Sequence, residues 1–352
     1  MRWSSAFEIL RVITLWILVM ASTSAEAPTT VPKAASKSPS RSPQGQHGAI
    51  GPEITIDPEH ELEDESDYNS DNASSTASLT ESVMDYRRIH GRTFHNYKTD
   101  TEYCHEMLLL AMDNKLTKAP IDDNIQKVLD IGTGTGIWAV DFADQYPSAE
   151  VIGTDISPTQ SQWVPPNCKF ELEDCQLAWT YPDNSFDFIH ARLMMGSIKD
   201  WNHFYSEVYR CLKPGGWFEH VEYDPSVICD DGSISEDSPL KVWGGLFMTS
   251  GDIIGQTFNI IVDSRNVGWM KDAGFQQVDE TRLKLPLGPW AKKPELKVMG
   301  NLNLTATEAG LEGFALYLLT NVLQWDLAKT QTYLAGVRKE LRSKSVHSYY
   351  FW

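Results

Sequence analysis

The sequence predicts an α/β fold in which a mostly parallel sheet of seven strands is covered by helices on both faces. An apolar run at residues 127–131 leads into three closely spaced glycines and then a helical segment at 137–145, which is typical of a buried strand, a tight turn and a crossover helix. Further apolar segments follow at intervals that suit crossovers between parallel strands. Acidic residues end the first strands, so we expect one edge of the sheet to hold a polar ligand.

The other elements are assigned in chain order from apolar periodicity and from glycine, proline and capping residues. Strands are predicted at 150–155, 168–174, 184–192, 217–223 and 277–285, and from 346 onward. Helices are predicted after residues 101, 200, 243 and 267, and at 311–325 and 327–342. The last strand is short, because the sequence stops at Trp352.

The glycine loop at Gly132, Gly134 and Gly136 points most directly to a function. Glycines let a ligand lie against bare backbone N–H groups at a helix N-terminus. The third glycine comes one residue early for a dinucleotide fingerprint, and the Lys-Ser or Lys-Thr pair of a P-loop does not follow it. Asp130 ends the strand beside this loop, where its carboxylate suits a ligand with a cationic group. A tight turn that binds no ligand is the alternative.

Acidic residues at the ends of the next two strands extend this predicted cofactor site. Asp155 lies about 20 residues beyond the loop, where a strand-end acid can bind both ribose hydroxyls of a nucleoside. Asp174 and Cys175 follow the third strand, where we expect an adenine ring, and Asp174 could accept a hydrogen bond from its amino group. A surface carboxylate is the alternative for Asp174.

The N-terminal part of the chain differs in composition from the rest. Residues 1–27 place arginines before an apolar run and small residues after it, which indicates either a secretory signal peptide or a spurious N-terminus. Residues 28–81 are rich in Pro and Ser and then acidic, and are predicted to be disordered. The folded domain is predicted at 82–352, with an N-terminal cap at 82–124 and a substrate-wall insertion at 225–262.

Charge and cysteine content exclude several classes of function. The formal net charge of −18 argues against direct binding to nucleic acid or acidic membranes, because such binding requires an excess of basic residues. The apolar run within 1–27 is too short for a comfortable transmembrane helix, so no membrane partner is predicted. Five scattered cysteines lack disulfide or zinc spacing. His203 and Glu207 lie one helical turn apart without a third ligand nearby, so no metal is predicted.

Several short segments of the sequence, taken together, resemble motifs of the class I S-adenosylmethionine (SAM)-dependent methyltransferases. More narrowly, they resemble the fungal LaeA-like methyltransferase family. They are Gly132-Thr-Gly-Thr-Gly-Ile-Trp138, Asp155-Ile-Ser-Pro158, Gln162-Trp-Val-Pro-Pro-Asn167, Ser185-Phe-Asp-Phe-Ile-His190, Tyr209-Arg-Cys-Leu-Lys-Pro-Gly-Gly-Trp217, Leu311-Glu-Gly-Phe314 and Val337-Arg-Lys-Glu-Leu341. The resemblance runs from about residue 86 to the C-terminus. It departs at the final strand, which in the family continues further.

The resemblance implies a Rossmann-like methyltransferase fold, SAM as the cofactor and a fungal source. The cofactor-binding residues that it implies, together with those already named, are Asp130, Gly132, Thr133, Gly134, Gly136, Asp155, Ile156, Asp174, Cys175 and His190.

Methyl transfer from a sulfonium is an in-line displacement, for which the protein mainly supplies positioning. A general base is needed only where the acceptor must lose a proton. Among side chains at the ends of the fourth and fifth strands, which include Arg192 and Tyr223, we predict His190 and Glu222 as catalytic. A histidine packed inside the sheet is the alternative for His190.

Aromatic and basic side chains in the cap and the insertion are the predicted substrate contacts. They are Tyr86, Arg92, Tyr97 and Trp243. For the three residues of the cap, a purely structural lid is the alternative.

Two functional hypotheses follow. The first is an enzyme that methylates an O, N or C nucleophile of a small-molecule acceptor in secondary metabolism. The second is a LaeA-like regulator with weak or no catalysis that acts through a protein partner in a nuclear velvet-type complex. An oxidoreductase that binds NAD at the same loop is a third alternative. The predicted location is the cytoplasm, the nucleus or both, and secretion follows if residues 1–27 are a true signal peptide.

Overall fold

The computed structural model describes residues 53–60, 100–161 and 163–352. The predictions for residues 1–27 and for Tyr86, Arg92 and Tyr97 lie outside the described residues.

Five parallel strands form the central sheet, in the order β3-β2-β1-β4-β5. They are β1 (Lys127–Ile131), β2 (Glu150–Asp155), β3 (Cys168–Leu172), β4 (Phe186–Arg192) and β5 (Leu212–Val221). Every pairing between neighbours is parallel. The chain progresses outward from β1 in one direction and then returns to β4 on its other side, so β1 and β4 flank the topological switch point at which such sheets bind ligands.

Helices cover both faces of this sheet. Helix α1 spans Asp100–Ala111, α2 spans Ile137–Gln145 and α3 spans Trp201–Cys211. Helix α2 starts directly after the glycine loop, as the sequence predicts. Helix α3 is capped by Asp200, whose side chain accepts a hydrogen bond from the backbone N–H of His203.

A separate antiparallel sheet in the order β6-β8-β7 follows in the C-terminal part. Its strands are β6 (Ile228–Cys229), β7 (Lys284–Leu287) and β8 (Ser348–Phe351). The prediction of one seven-stranded sheet is therefore wrong in its count, although the α/β class and the parallel core are confirmed. Strand β8 pairs on both sides within its own sheet, and a 2.8 Å hydrogen bond from Asp224 N to Phe351 O links it to the chain just beyond β5.

The C-terminal helices are α4 (Pro239–Ile254), α5 (Arg265–Ala273), α6 (Pro294–Tyr317) and α7 (Leu327–Leu341), with a π-helical turn at Leu318–Val322. The predicted boundaries of α7 are confirmed to within a residue, but α6 begins well before the predicted 311. Its first half holds residues of low helix propensity, such as Gly300 and Asn303, so sequence alone does not indicate a helix there. Tertiary contacts hold it instead, because Asn303 Nδ2 donates to Pro286 O at 2.9 Å.

Three hydrophobic cores hold these layers together. Val128, Trp138 and Phe188 belong to the core under α2, and Leu129, Ile189 and Phe204 to the core under α3. The third core joins α1 to α4, α6, α7 and the antiparallel sheet. None of the helices in the described ranges is both long and apolar enough to cross a membrane.

Part of the predicted disordered leader is ordered. Within residues 53–60, Ile56 forms an antiparallel bridge with Ala291. Asp57 N donates to Trp290 O at 2.9 Å, and the Asp57 carboxylate pairs with Lys297. For these eight residues the prediction of disorder is wrong, because backbone pairing to the C-terminal part supplies contacts that composition does not reveal.

Candidate active site

The glycine loop forms an open cradle between β1 and α2. Gly132, Gly134 and Gly136 have φ angles of 65°, 57° and 81°, in the left-handed region that favours glycine. A Cβ at Gly136 would lie 2.3 Å from the ring of Phe170, whereas a Cβ at Gly134 would meet no atom within 4 Å. Gly136 is therefore required for packing, and the space above Gly134 is open to a ligand.

The Asp155 carboxylate, at the end of β2, holds this loop in place. Its oxygens accept hydrogen bonds from Gly134 N and Ser157 N, both at 2.9 Å. Thr159 Oγ1 and Gln160 Nε2 donate to Gly134 O at 3.0 and 2.7 Å. Burial raises the pKa of Asp155, and the backbone N–H groups offset part of that shift. Each oxygen keeps a lone pair that a ligand hydroxyl can use. Ile156, predicted to bind the cofactor, lies partly buried beside this carboxylate.

Below the loop, three predicted cofactor residues form a buried hydrogen-bonded group. The Asp130 carboxylate accepts from Thr133 Oγ1 at 2.6 Å and pairs with His190 Nδ1 at 2.7 Å. The indole ring of Trp138 stacks flat on His190, with ring centroids 3.8 Å apart. Asp130 and His190 are 2% and 1% exposed, so they position the loop from beneath. This geometry agrees with the alternative stated for His190, a histidine packed inside the sheet.

Asp174 and Cys175 lie in the turn after β3. Asp174 Oδ1 accepts from Gln176 N at 3.0 Å, and Cys175 O accepts from Trp179 Nε1 at 3.0 Å. Burial raises the pKa of the Cys175 thiol to about 12, so it stays protonated and unreactive at neutral pH. The turn lies beyond the end of β3, on the same edge as Asp155. Contact with an adenine ring stays a prediction.

Glu222, the other predicted catalytic residue, is already engaged. Its Oε1 accepts from Met194 N at 2.5 Å and Met195 N at 3.1 Å, and contacts His220 Nε2 at 2.9 Å. Its Oε2 is buried and has no hydrogen-bond partner in the described part of the chain. Glu222 thus anchors the loop after β4 to the end of β5. Because its side chain, including the unpartnered oxygen, is buried, it is not placed to act as a general base on a substrate.

Trp243, predicted to line a substrate wall, lies inside the third core instead. Its side chain is 4% exposed and packs against Phe247, with ring centroids 4.9 Å apart, and against Tyr333. The periodicity of α4 predicts a helix correctly, but it does not show which neighbour covers each face. The substrate role of Trp243 is therefore not supported by its position.

The structure adds a group that sequence reasoning missed. Arg192 Nη1 lies 2.9 Å from His105 Nδ1, and His105 Nε2 lies 2.9 Å from Asp141 Oδ2. These residues come from β4, α1 and α2, so no local spacing brings them together. The single sequence signal for this group is the position of Arg192 at the end of the predicted fourth strand.

The loop suits a nucleoside ligand with a charged end. Thr135 Oγ1 is buried without a hydrogen-bond partner among the described residues, and the cradle above Gly134 is open. The Asp155 carboxylate, which can accept hydrogen bonds from ligand hydroxyl groups, lies beside this cradle. Within the described ranges, no group of three or more His, Cys, Asp or Glu side chains could hold a metal ion.

Comparison with known proteins gives consistent matches. The family described as "Methyltransferase domain" matches residues 96–280. Methyltransferase pytC of Aspergillus terreus is 34% identical over 308 residues, which cover 83% of this chain and 94% of that protein. Secondary metabolism regulator LAE1 of Cochliobolus heterostrophus is 37% identical over 253 residues, covering 70% and 81%. Protein-methionine methyltransferase laeA of Emericella nidulans is 31% identical over 282 residues, covering 75% and 74%.

Proposed function

Because the chain belongs to the class I SAM-dependent methyltransferases and to their LaeA-like fungal group, we propose that it methylates a small molecule of a fungal secondary-metabolite pathway. The observation that carries the proposal is the open cradle at Gly134 beside the fixed carboxylate of Asp155. The match to pytC, which spans 94% of that methyltransferase, supports a catalytic rather than a purely regulatory role.

The described residues fit SAM. Asp155 would accept hydrogen bonds from the ribose hydroxyls, and the bare backbone at Gly134 would let the ligand approach closely. The turn at Asp174 and Cys175 would border the adenine. When bound, SAM supplies an electrophilic methyl group and a neutral thioether leaving group. The contribution of the protein is then to hold donor and acceptor in line.

The positions of His190 and Glu222, the two predicted catalytic residues, limit the kinds of atom that can accept the methyl group. His190 pairs with Asp130 and stacks on Trp138, and Glu222 Oε1 already takes two backbone N–H groups. They are 1% and 4% exposed, and the one unpartnered oxygen of Glu222 is itself buried, so neither side chain meets a substrate proton. We therefore propose an acceptor atom that is already nucleophilic at neutral pH, such as an amine, a thioether or an ionised enol.

A second candidate is methylation of a protein in a regulatory complex. It is favoured by the 37% identity to regulator LAE1 and by the name of the laeA relative, a protein-methionine methyltransferase. A methionine thioether carries no proton, so it also needs no general base. The partner would then be a regulatory protein and the location the nucleus, whereas a small-molecule acceptor suits the cytoplasm.

Calorimetric titration of SAM, and separately NADH, into the full chain tests the cofactor. We expect saturable SAM binding that Asp155→Ala weakens, with Asp263→Ala, an exposed carboxylate with 64% of its side chain accessible, as the matched control. Binding of NADH in place of SAM would contradict the proposal.

Transfer of a labelled methyl group then separates the two acceptors. The full chain is incubated with labelled SAM and either a small-molecule extract or a protein extract of the producing fungus. Label in a small molecule supports the first candidate, and label in a protein supports the second.

A further inference from the structure

Arg192 is a partly buried cation at the switch point of the parallel sheet. It is the last residue of β4, and its neighbour Ala191 pairs with Ile131, which directly precedes the glycine loop. The backbone of Arg192 is therefore level with Gly132. Ligands of doubly wound sheets bind at this place, outside the carboxyl ends of the strands on either side of the reversal.

The guanidinium has a neutral partner. Arginine only donates hydrogen bonds, so at 2.9 Å His105 Nδ1 must accept from Arg192 Nη1. The proton of His105 is then on Nε2, which donates to Asp141 Oδ2 at 2.9 Å. This chain of contacts fixes the orientation of the guanidinium and uses one of its five N–H donors.

No carboxylate pairs directly with Arg192. Among the described residues no Asp or Glu oxygen lies within the 4.0 Å ion-pair limit of its guanidinium, whose hydrogen-bond partner is His105. Burial lowers the pKa of Arg192, and the more distant carboxylates of Asp130 and Asp141 offset part of that shift. Because burial makes an incompletely compensated charge costly, a partly buried guanidinium with no directly paired carboxylate is suited to receive an anion.

Charges on the neighbouring strand complete the pattern. Asp130 on β1 pairs in register with His190, two residues before Arg192 on β4. Asp130 and Arg192 thus bring a carboxylate, held by Thr133 and His190, and a partly buried guanidinium to the same glycine loop. A zwitterion, with an ammonium and a carboxylate on one carbon, is the ligand class that this pair of charges complements.

We propose that Arg192 binds the carboxylate of the amino-acid end of SAM, held in position by His105 and Asp141. The inference rests on the proposed function, since it assigns a residue to one end of the same cofactor. A guanidinium is suited to this task because its planar fork matches a carboxylate in two parallel hydrogen bonds. The other reading is that Arg192 only ties α1 to the sheet.

The test compares ligands that differ in one group. Calorimetry measures the affinity of the full chain for SAM and for decarboxylated SAM, which keeps the adenosine, the sulfonium and the amine. A hydrogen bond to a charged group is worth about 1.5–3 kcal/mol, so we expect the wild-type protein to bind SAM about 10- to 100-fold more tightly. Equal affinities in the wild type would overturn the inference without any variant.

Arg192→Met then tests the residue itself. We expect this variant to lose most of the preference for SAM while binding decarboxylated SAM as the wild type does. Binding of the decarboxylated ligand also reports that the site is folded. Lys199→Met, which removes an exposed cation at the start of α3, is the matched control and should keep the full preference.

The outcomes separate this inference from the proposed function. If the wild type binds neither ligand, the proposed function fails. If both ligands bind and Arg192→Met keeps the wild-type preference, only the role of Arg192 fails, and its link to α1 is structural. If Arg192→Met does not fold, Arg192→Gln replaces it, because glutamine keeps N–H donors without the charge. If Arg192→Gln keeps the wild-type preference for SAM over decarboxylated SAM, the role of Arg192 is contradicted in the same way.

Discussion

Buried polar groups have different roles in the two halves of the molecule. These are the parallel-sheet half, residues 127–221, and the C-terminal half, residues 225–352. In the first half, Asp130 and Asp155 hold a loop from two sides and leave the space above Gly134 open. In the second half, polar pairs fasten elements to one another. His347 binds Asp231 at 2.6 Å, and Tyr349 Oη donates to Asp230 at 2.9 Å.

The comparison indicates which buried polar groups point to a ligand. In both halves most of these groups have hydrogen-bond partners, so hydrogen bonding alone does not mark a site. What distinguishes the first half is that its partners converge on an opening, with glycines in the left-handed region between them. The C-terminal half is expected to respond to mutation through stability, and the parallel-sheet half through cofactor affinity.

The largest expected effect is on the stability of the C-terminal half. Trp352 is 8% exposed and stacks on Tyr223, with ring centroids 4.9 Å apart. We expect Trp352→Ala to lower the free energy of unfolding by about 3–5 kcal/mol, measured by denaturant titration. Trp163→Ala, at an 88% exposed position, should change it by less than about 0.5 kcal/mol. Similar losses in both variants would contradict the assignment of Trp352 to the core.

The next effect separates two glycines of the same loop. Gly136→Ala adds left-handed strain and a clash with Phe170, so we expect a loss of about 2–5 kcal/mol of stability. Gly134→Ala adds only the strain, about 1–2 kcal/mol, but its methyl group projects into the open cradle. Thermal unfolding and SAM titration should therefore rank the variants in opposite ways. The same ranking in both assays would show that the cradle does not hold the cofactor.

A smaller effect is expected when the Asp155 carboxylate loses its charge. Asp155→Asn keeps the shape of the side chain but weakens its hydrogen bond with Gly134 N and the proposed ones with ribose hydroxyls. SAM affinity should fall about 10- to 100-fold, the worth of a charged hydrogen bond. Asp263→Asn serves as the control. If calorimetry finds equal SAM affinities for Asp155→Asn and the wild type, a residue other than Asp155 binds the ribose hydroxyls.

The smallest effect is the pH dependence of the same group. The folded pKa of Asp155 is raised by burial, so the folded protein holds this proton more tightly than the unfolded chain. The contribution of Asp155 to stability is therefore present below its unfolded pKa and lost as pH rises through the folded value. SAM affinity should change in the opposite direction, rising over that window as the carboxylate ionises. Asp155→Asn should remove both dependences in parallel pH titrations, and their persistence would assign them elsewhere.

Local pattern was enough to predict the parallel-sheet half. The boundaries of β2 and α2 match the prediction, because the apolar run, the glycine spacing and the strand-end acids lie within a few residues of one another. The antiparallel sheet could not be predicted. Strand β6 has two residues, too few to show a period, and its partners lie more than a hundred residues away.

Some of the predicted site residues come together in the structure, whereas others are engaged in contacts that the sequence does not reveal. Asp130, Asp155 and His190 meet around the glycine loop because the strand register brings them there. The sequence could not show that Glu222 is occupied by the backbone of Met194 and Met195, since those contacts depend on a loop between two strands. The His105–Arg192 contact was hidden because its two residues lie 87 positions apart, on a helix and a strand that only the tertiary fold brings together.

The central place of β8 in its sheet bears on how the protein is made. Strand β8 lies between β6 and β7, yet it leaves the ribosome after every other described element. Every strand of the parallel sheet is synthesised before β6 begins, whereas the antiparallel sheet cannot close until β8 emerges. Until then β6 and β7 have open edges that other chains can pair with. We therefore expect newly made chains to depend on chaperones chiefly through the C-terminal half.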